Sequence, residues 1–286
     1  MGDWVLVFPI LRALRGLTVA VTAWSKAELA AALFDHVVPM DIELREFSRL
    51  YVSGGPTAIS PTVKQRFDEA TIVISYLSDG CNVWAQNLRR IVPQAQHLFV
   101  EPRPPAEWTH HITQWHTEQL RRQGLTIEHV EVPLRHNAHG PVVVHPGSGS
   151  VSKCWPRDDF AHVIETLRKE EPEVCVILGE VELETWPRDL VKDWTRRFGA
   201  EHIDDLDQLW SILAQARLYV GNDSGPTHLA AQLGLPTLAL FGPTQPHLWA
   251  PTGPAVQILA PPQPQPMTWL TPARVLAAYH EMSSNR

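Results

Sequence analysis

Short, nearly unbroken apolar runs alternate along this chain with longer segments in which apolar residues recur every three or four positions. Runs of the first kind predict strands at Leu17–Thr22, His36–Met40, Thr71–Tyr76, His97–Val100, Val142–His145, Glu173–Leu178, Leu218–Gly221 and Pro236–Phe241. Segments of the second kind predict helices at Lys26–Leu33, Val83–Ile91, His110–Gly124, Pro156–Glu170, Leu206–Ala216, Thr227–Leu233 and Pro272–Met282. Leu183–Phe198 reads as mostly helix. At the start, Val7, Ile10, Leu11 and Leu14 form a helical stripe over Trp4–Arg15, which Pro9 kinks. Strand and helix alternating in this way predict a doubly wound α/β protein. A proline-rich break falls at Glu101–Pro105, and a linker at Arg135–Gly140 divides the chain into two domains, residues 1–135 and 136–286.

Composition narrows the function classes. The chain has 286 residues, 44% of them hydrophobic, enough for a sizeable core. Its formal net charge of −7, with no basic tail or stripe, argues against nucleic acid as a partner. Cys81, Cys154 and Cys175 match no zinc spacing, so a reducing compartment is the expected setting. No apolar run reaches the roughly 18 residues that span a bilayer. Val5–Leu11 lacks the basic flank and cleavage site of a signal peptide. A cytoplasmic protein is expected, with peripheral contact at a membrane left open.

The candidate chemistry lies where strands end. Leu218–Gly221 runs into the turn Asn222-Asp223-Ser224-Gly225, which opens a helix closed by Gly234. Carboxyl ends of strands are where open α/β sheets hold ligands, and the first amides of a helix can grip a phosphate. His228 stands one turn into that helix. A second loop, Gly147–Ser152, follows Val142–His145 and brings Ser148, Gly149 and Lys153, offering amides, hydroxyls and a point positive charge. It is not a Walker loop, and an ordinary strand–helix connection with a solvated lysine is the competing reading. For Asp223 the competing reading is a plain helix N-cap, for His228 a core histidine. The turn shares letters with the Gly-Asp-Ser-Gly-Gly-Pro of chymotrypsin-like proteases, but its strand–turn–helix setting excludes that chemistry.

Other constellations read as structural. Asp204-Asp205-Leu206-Asp207 contains a DxD, but acidic caps are expected at a helix start. His110, His111 and His116 lack the spacing of a metal site and read as solvated. Glu180, Glu182 and Glu184 follow a strand, where one could accept hydrogen bonds from ribose hydroxyls. Asp3 is a helix cap, or a general base if it faces a cleft between the domains.

Three stretches together resemble glycosyltransferase family 9, the ADP-heptose:lipopolysaccharide heptosyltransferases. They are GDWVLVFPILRALR (Gly2–Arg15), HPGSGSVSKCWP (His145–Pro156) and GNDSGPTHLAAQLGLPTLALFGPTQP (Gly221–Pro246). The resemblance spans nearly the whole chain and is weak from about Ser25 to Gly140. It implies a GT-B architecture, two Rossmann-like domains facing a cleft, with the donor on the C-terminal domain and the acceptor on the N-terminal one. It implies an inverting transfer without metal or cofactor, in which heptose passes from an ADP-linked donor to a lipopolysaccharide core or other glycan, at the inner membrane if peripheral. Asp3 would be the general base and Lys153 would neutralise the leaving diphosphate. Ser148, Gly149, Ser224 and Gly225 would meet the phosphates. Asp223 and His228 would contact donor sugar or phosphate, and Glu182, with Glu180 as alternative, would bind ribose.

The chain departs from the family in three places. Members carry a strand and small-residue loop before the Gly-Asp pair, and here that first strand is missing. Either the start is misassigned in a longer protein, or the domain has lost its central strand and exposes two edges. Cys154 replaces a basic residue, and Asp204-Asp205 replaces an apolar segment near the base. A GT-B epimerase and a degenerate, non-catalytic nucleotide-sugar binding protein are the alternative readings.

Overall fold

The structure, a computed structural model, describes residues 2–55, 59–135 and 137–284. One site of the expected linker, His136, lies outside them. The strands are β1 Thr18–Thr22, β2 Val37–Asp41, β3 Ile72–Ser75, β4 Gln96–Phe99, β5 Val142–His145, β6 Val174–Leu178, β7 Glu201–His202, β8 Leu218–Asn222, β9 Thr237–Leu240 and β10 Val256–Leu259. The chain divides into two compact units. One is Val7–Val130; the other joins Met1–Leu6 to Glu131–Arg286. A break between 135 and 136 alone would leave the first six residues with the N-terminal domain. In the structure the Gly2–Val5 helical turn packs instead on the Gly225–Gln232 helix.

In the larger unit six strands form one sheet in the order β10-β9-β8-β5-β6-β7, every neighbouring pair parallel. Counted from β5, this is the doubly wound order 3-2-1-4-5-6, and the winding direction reverses between β5 and β8. β5, β8 and β9 are buried at every residue. Their uninterrupted apolar runs are what a parallel strand covered on both faces requires. Phe160, Val163, Ile164 and Leu167 from the Arg157–Glu170 helix share one core with Val142, Val144, Val176 and Leu178 of the sheet. Gly234, at φ 77°, closes the Gly225–Gln232 helix; a β-carbon there would stand 2.1 Å from the Pro133 carbonyl oxygen. The Arg135 amide donates to the Gly234 carbonyl at 2.9 Å and ties the incoming chain to this turn.

The Val7–Val130 unit is built differently. β1 pairs in parallel with β2, and β3 with β4, but the two pairs form separate two-stranded sheets. Val19 and Val21 of β1 and Val73 of β3 nonetheless pack on one core with Phe47, Phe67, Trp84, Leu88 and Phe99. No strand among the described residues precedes Thr18. Most of β1 is only half-buried, and Ile72 at the start of β3 is exposed. That is the state expected of strands lacking a neighbour on one edge.

Several local expectations are corrected. Trp4–Arg15 is not one kinked helix. It is Gly2–Val5 followed by Phe8–Ala13, with Pro9 in the first turn of the second, where its missing N–H costs nothing. Pro187 likewise divides Leu183–Phe198, giving helices at Glu180–Thr185 and Arg188–Phe198. β7 and β10 were not expected. His116 is buried rather than solvated, with its Nε2 3.2 Å from the Pro102 carbonyl and its ring against Tyr76, while His111 caps the Ile112–Arg122 helix through the Thr113 amide. Asp205 does cap Leu206–Gln215, accepting the Gln208 amide at 2.7 Å.

Candidate functional site

The loop after β5 and the turn after β8 leave the sheet side by side, where its winding reverses. β5 and β8 are neighbours in register, His145 opposite Gly221. Crevices at such reversal points are the usual ligand sites of open parallel sheets. Here they bring together Ser148 and Lys153 from one loop and Asp223, Ser224 and Gly225 from the other, 70 or more residues away in sequence.

The turn is organised around a helix start whose amides are not capped by a side chain. Ser224, not Asp223, is the N-cap residue, extended at φ −153° and ψ 164°, and its hydroxyl makes no capping bond. It pairs instead with the Thr227 hydroxyl at 3.0 Å, and Thr227 donates to the Asn222 carbonyl at 2.5 Å. Pro226 stands in the first turn and has no amide to satisfy. An uncapped helix N-terminus carries partial positive charge and directed N–H groups, an arrangement suited to an anion.

Asp223 is freed from capping and gathers cations and donors. Its Oδ2 lies 2.8 Å from Lys153 Nζ and accepts the Thr244 hydroxyl at 2.8 Å; its Oδ1 lies 3.6 Å from His228 Nε2. Burial opposes ionisation of Asp223, but the interactions with His228 and Lys153 outweigh it and hold the carboxyl below its ordinary range. Lys153 keeps 32% of its side chain exposed against 5% for Asp223, so the ammonium can reach outward from a buried anchor. Thr244, from the loop after β9, is a third element in the cluster that the sequence reading did not single out.

The remaining predicted residues fall in different places. Ser148 is buried and donates to the Asp223 carbonyl at 2.8 Å, so it fastens the loop to the turn. Gly149 is exposed, with open space where a β-carbon would stand. The glycine that the fold requires is Gly147: a β-carbon there would lie 1.8 Å from Glu182 Oε1. Glu182 is only 2% exposed. Its Oε2 accepts the Gly179 amide at 2.9 Å and lies 3.2 Å from His145 Nε2. Burial raises its carboxyl, but the His145 interaction and backbone bonds bring the net below the ordinary range. Glu182 thus sits under the Gly147 loop, while Glu180 is exposed beside it. Asp3 is exposed in the Gly2–Val5 turn, where Gly2 lies against Gly225 at the start of the uncapped helix. Trp155 is wholly buried, its ring on Phe160 and its indole N–H donating to the Leu270 carbonyl at 3.1 Å, so it packs the helix start.

Among the described residues no group of three or more His, Cys, Asp or Glu is arranged to hold a metal ion. No helix among them is long and apolar enough to cross a membrane.

Residues 111–269 match the family described as glycosyltransferase family 9 (heptosyltransferase). Among curated relatives, lipopolysaccharide heptosyltransferase 3 of Escherichia coli is 27% identical over 184 residues, covering 60% of this chain and 48% of that protein. This chain spans less than half the length of the curated relatives it matches first. Among solved structures, a family 9 glycosyl transferase from Veillonella parvula DSM 2008 aligns over 100% of this chain and 94% of its own at a TM-score of 0.73 and 17% identity. The E. coli heptosyltransferase WaaC with ADP aligns over 98% and 95% at a TM-score of 0.64 and 18% identity. At such identities the likeness shows the fold, an α/β fold of the GT-B kind shared by these proteins.

Proposed function

The chain belongs to glycosyltransferase family 9, and on that premise we propose that the cluster at the β5–β8 reversal is the diphosphate site of a nucleotide-sugar donor. The observation that carries this reading is the ion pair of Lys153 with Asp223, the residue directly before the uncapped helix start at Ser224–Gly225. A solved relative is described as holding ADP, which supports an ADP-linked donor, heptose being the sugar of the family. Of the two glutamates, Glu180, exposed beside the loop, would meet the ribose, while Glu182 is buried beneath the Gly147 loop. The acceptor is a lipopolysaccharide or related glycan, reached by peripheral contact with the inner membrane.

In this reading Asp3 takes the proton of the acceptor hydroxyl as that oxygen attacks the anomeric carbon. The bond to the diphosphate breaks and its electron pair stays on the leaving oxygen. Lys153 and the amides of Ser224 and Gly225 stabilise the charge that develops there. Attack opposite the leaving group inverts the anomeric centre. No metal is needed where a lysine and a helix terminus carry that load; Asp223 holds the lysine, His228 stands at the other oxygen of Asp223, and both would face the donor.

A nucleotide-sugar binding protein without turnover is the second reading, favoured by the separate β1–β2 and β3–β4 sheets of the unit that would hold the acceptor. The test is release of ADP from ADP-heptose in the presence of a lipopolysaccharide-derived acceptor, alongside thermal shift with ADP. Transfer lost in Asp3→Asn, with ADP binding kept, supports the catalytic reading. Binding of ADP without release from any donor favours the second. Unimpaired transfer by Asp3→Asn removes the base assignment.

A further inference from the structure

We propose that Asn222 is a positioning residue that holds the two halves of the anion site together before any ligand arrives. This rests on the donor-site reading above, and it adds a residue that touches neither substrate nor reacting atoms.

Asn222 is the last residue of β8 and is 0% exposed. Its side chain does not turn back on its own turn. The Nδ2 group donates to the carbonyls of Pro146 at 2.8 Å and Gly147 at 3.2 Å, and the Oδ1 accepts the Trp155 amide at 3.0 Å. All three partners lie in the loop after β5, and they bracket the segment that carries Ser148 and Lys153. One amide side chain therefore closes both ends of that loop onto the neighbouring strand, at the point where the sheet changes winding direction. Ser148 and Lys153 then meet Asp223 from above the same junction, at 2.8 Å each.

The chemistry requires an amide. Two carbonyls need a donor and one N–H needs an acceptor, and asparagine supplies both from a side chain of this length. Aspartate has the same shape, but would set a carboxylate oxygen against two carbonyl oxygens. Alanine would leave three buried backbone groups without partners. Preorganisation of this kind shows in ligand affinity, because an unfastened loop must be ordered at the moment of binding.

The test uses the full chain with Asn222→Asp, Asn222→Ala and Asn222→Ser, the last keeping one short donor and acceptor. Two measurements are made: hydrogen exchange of the amides of residues 147–155 without ligand, and ADP affinity by calorimetry, with Lys153→Ala in each background. The expected result is faster exchange confined to that loop, ADP binding weakened by about tenfold or more in the order Ser, Ala, Asp, and non-additive losses with Lys153→Ala. Coupling of that sort follows when Asn222 acts through the lysine's loop, and a general loss of stability would give additive effects. Should the aspartate and alanine variants fail to fold, the serine variant carries the same comparison. Unchanged exchange in the loop, or full ADP affinity in a folded Asn222→Asp protein, overturns the proposal. If the wild type does not bind ADP, the donor-site reading fails, while the exchange data still decide whether Asn222 fastens the loop.

Discussion

Gly147 and Glu182 occupy nearly the same space, and the pair shows how a small residue can be demanded by a charged one. Because a β-carbon at Gly147 would lie 1.8 Å from Glu182 Oε1, Gly147→Ala should lower stability by about 1–3 kcal/mol. The loss should shrink in a Glu182→Ala background, as chemical denaturation of the four proteins of the cycle would show; equal losses in both backgrounds would locate the strain elsewhere. Acid sensitivity belongs to this scale as well. The carboxyls of Asp223 and Glu182 are both held below their unfolded values, near 4. Their contribution is therefore complete above that unfolded value and is lost as pH falls through the lower folded one. Melting temperature followed from pH 6 downward should fall less steeply in Asp223→Asn than in the wild type, and parallel curves would sink the assignment. The two carboxylates differ in how readable they were. Asp223 stood in a turn whose position after a strand announced it. Glu182 was expected to face a ligand, but its partner His145 is 37 residues away, and no local pattern reveals that pairing.

Among the elements, burial separates strands that have two neighbours from those that have one. Amides of β1 and β3 should exchange with solvent well before those of β5, β8 and β9. Mass-resolved hydrogen exchange checks this, and equal protection would mean that the edges of the smaller sheets are covered. The central strands were legible because full burial in a parallel sheet writes an apolar run into the sequence. β7 was not, since Glu201–His202 is two exposed residues, and the half-buried β10 leaves no clear run among its proline-rich surroundings. The site followed the same rule. Lys153 and the Asp223–Gly225 turn belong to local strand–loop–helix patterns. Asn222, Thr244 and the glycine requirement at 147 depend on contacts between separate loops, which spacing along one segment cannot express.

For the molecule as a whole, the first residues belong with the last unit. Val5 and Leu6 are buried there, and side chains of that size contribute about 1.5–3 kcal/mol each when fully buried. Removing residues 2–6 should loosen the Gly225–Gln232 helix, seen as faster amide exchange at 225–232, and leave the core built on Phe47, Phe67 and Trp84 unaffected. Exchange that rises instead in the Val7–Val130 unit would show that the segment supports that unit. In a chain with Asp3 as base, the deletion should also abolish transfer, and it should weaken ADP binding to the extent that it loosens the start of that helix.

That docking also sets a sequence of events in time. About 220 residues separate Gly2 from its neighbour Gly225. At synthesis rates of roughly 5–20 residues per second, the opening segment waits on the order of ten to forty seconds before its partner helix exists. The Val7–Val130 unit can collapse during that interval, with residues 2–6 still unattached. The Gly2–Val5 turn, which carries the proposed base, can thus be seated only once the Gly225–Gln232 helix has been made, about 220 residues later.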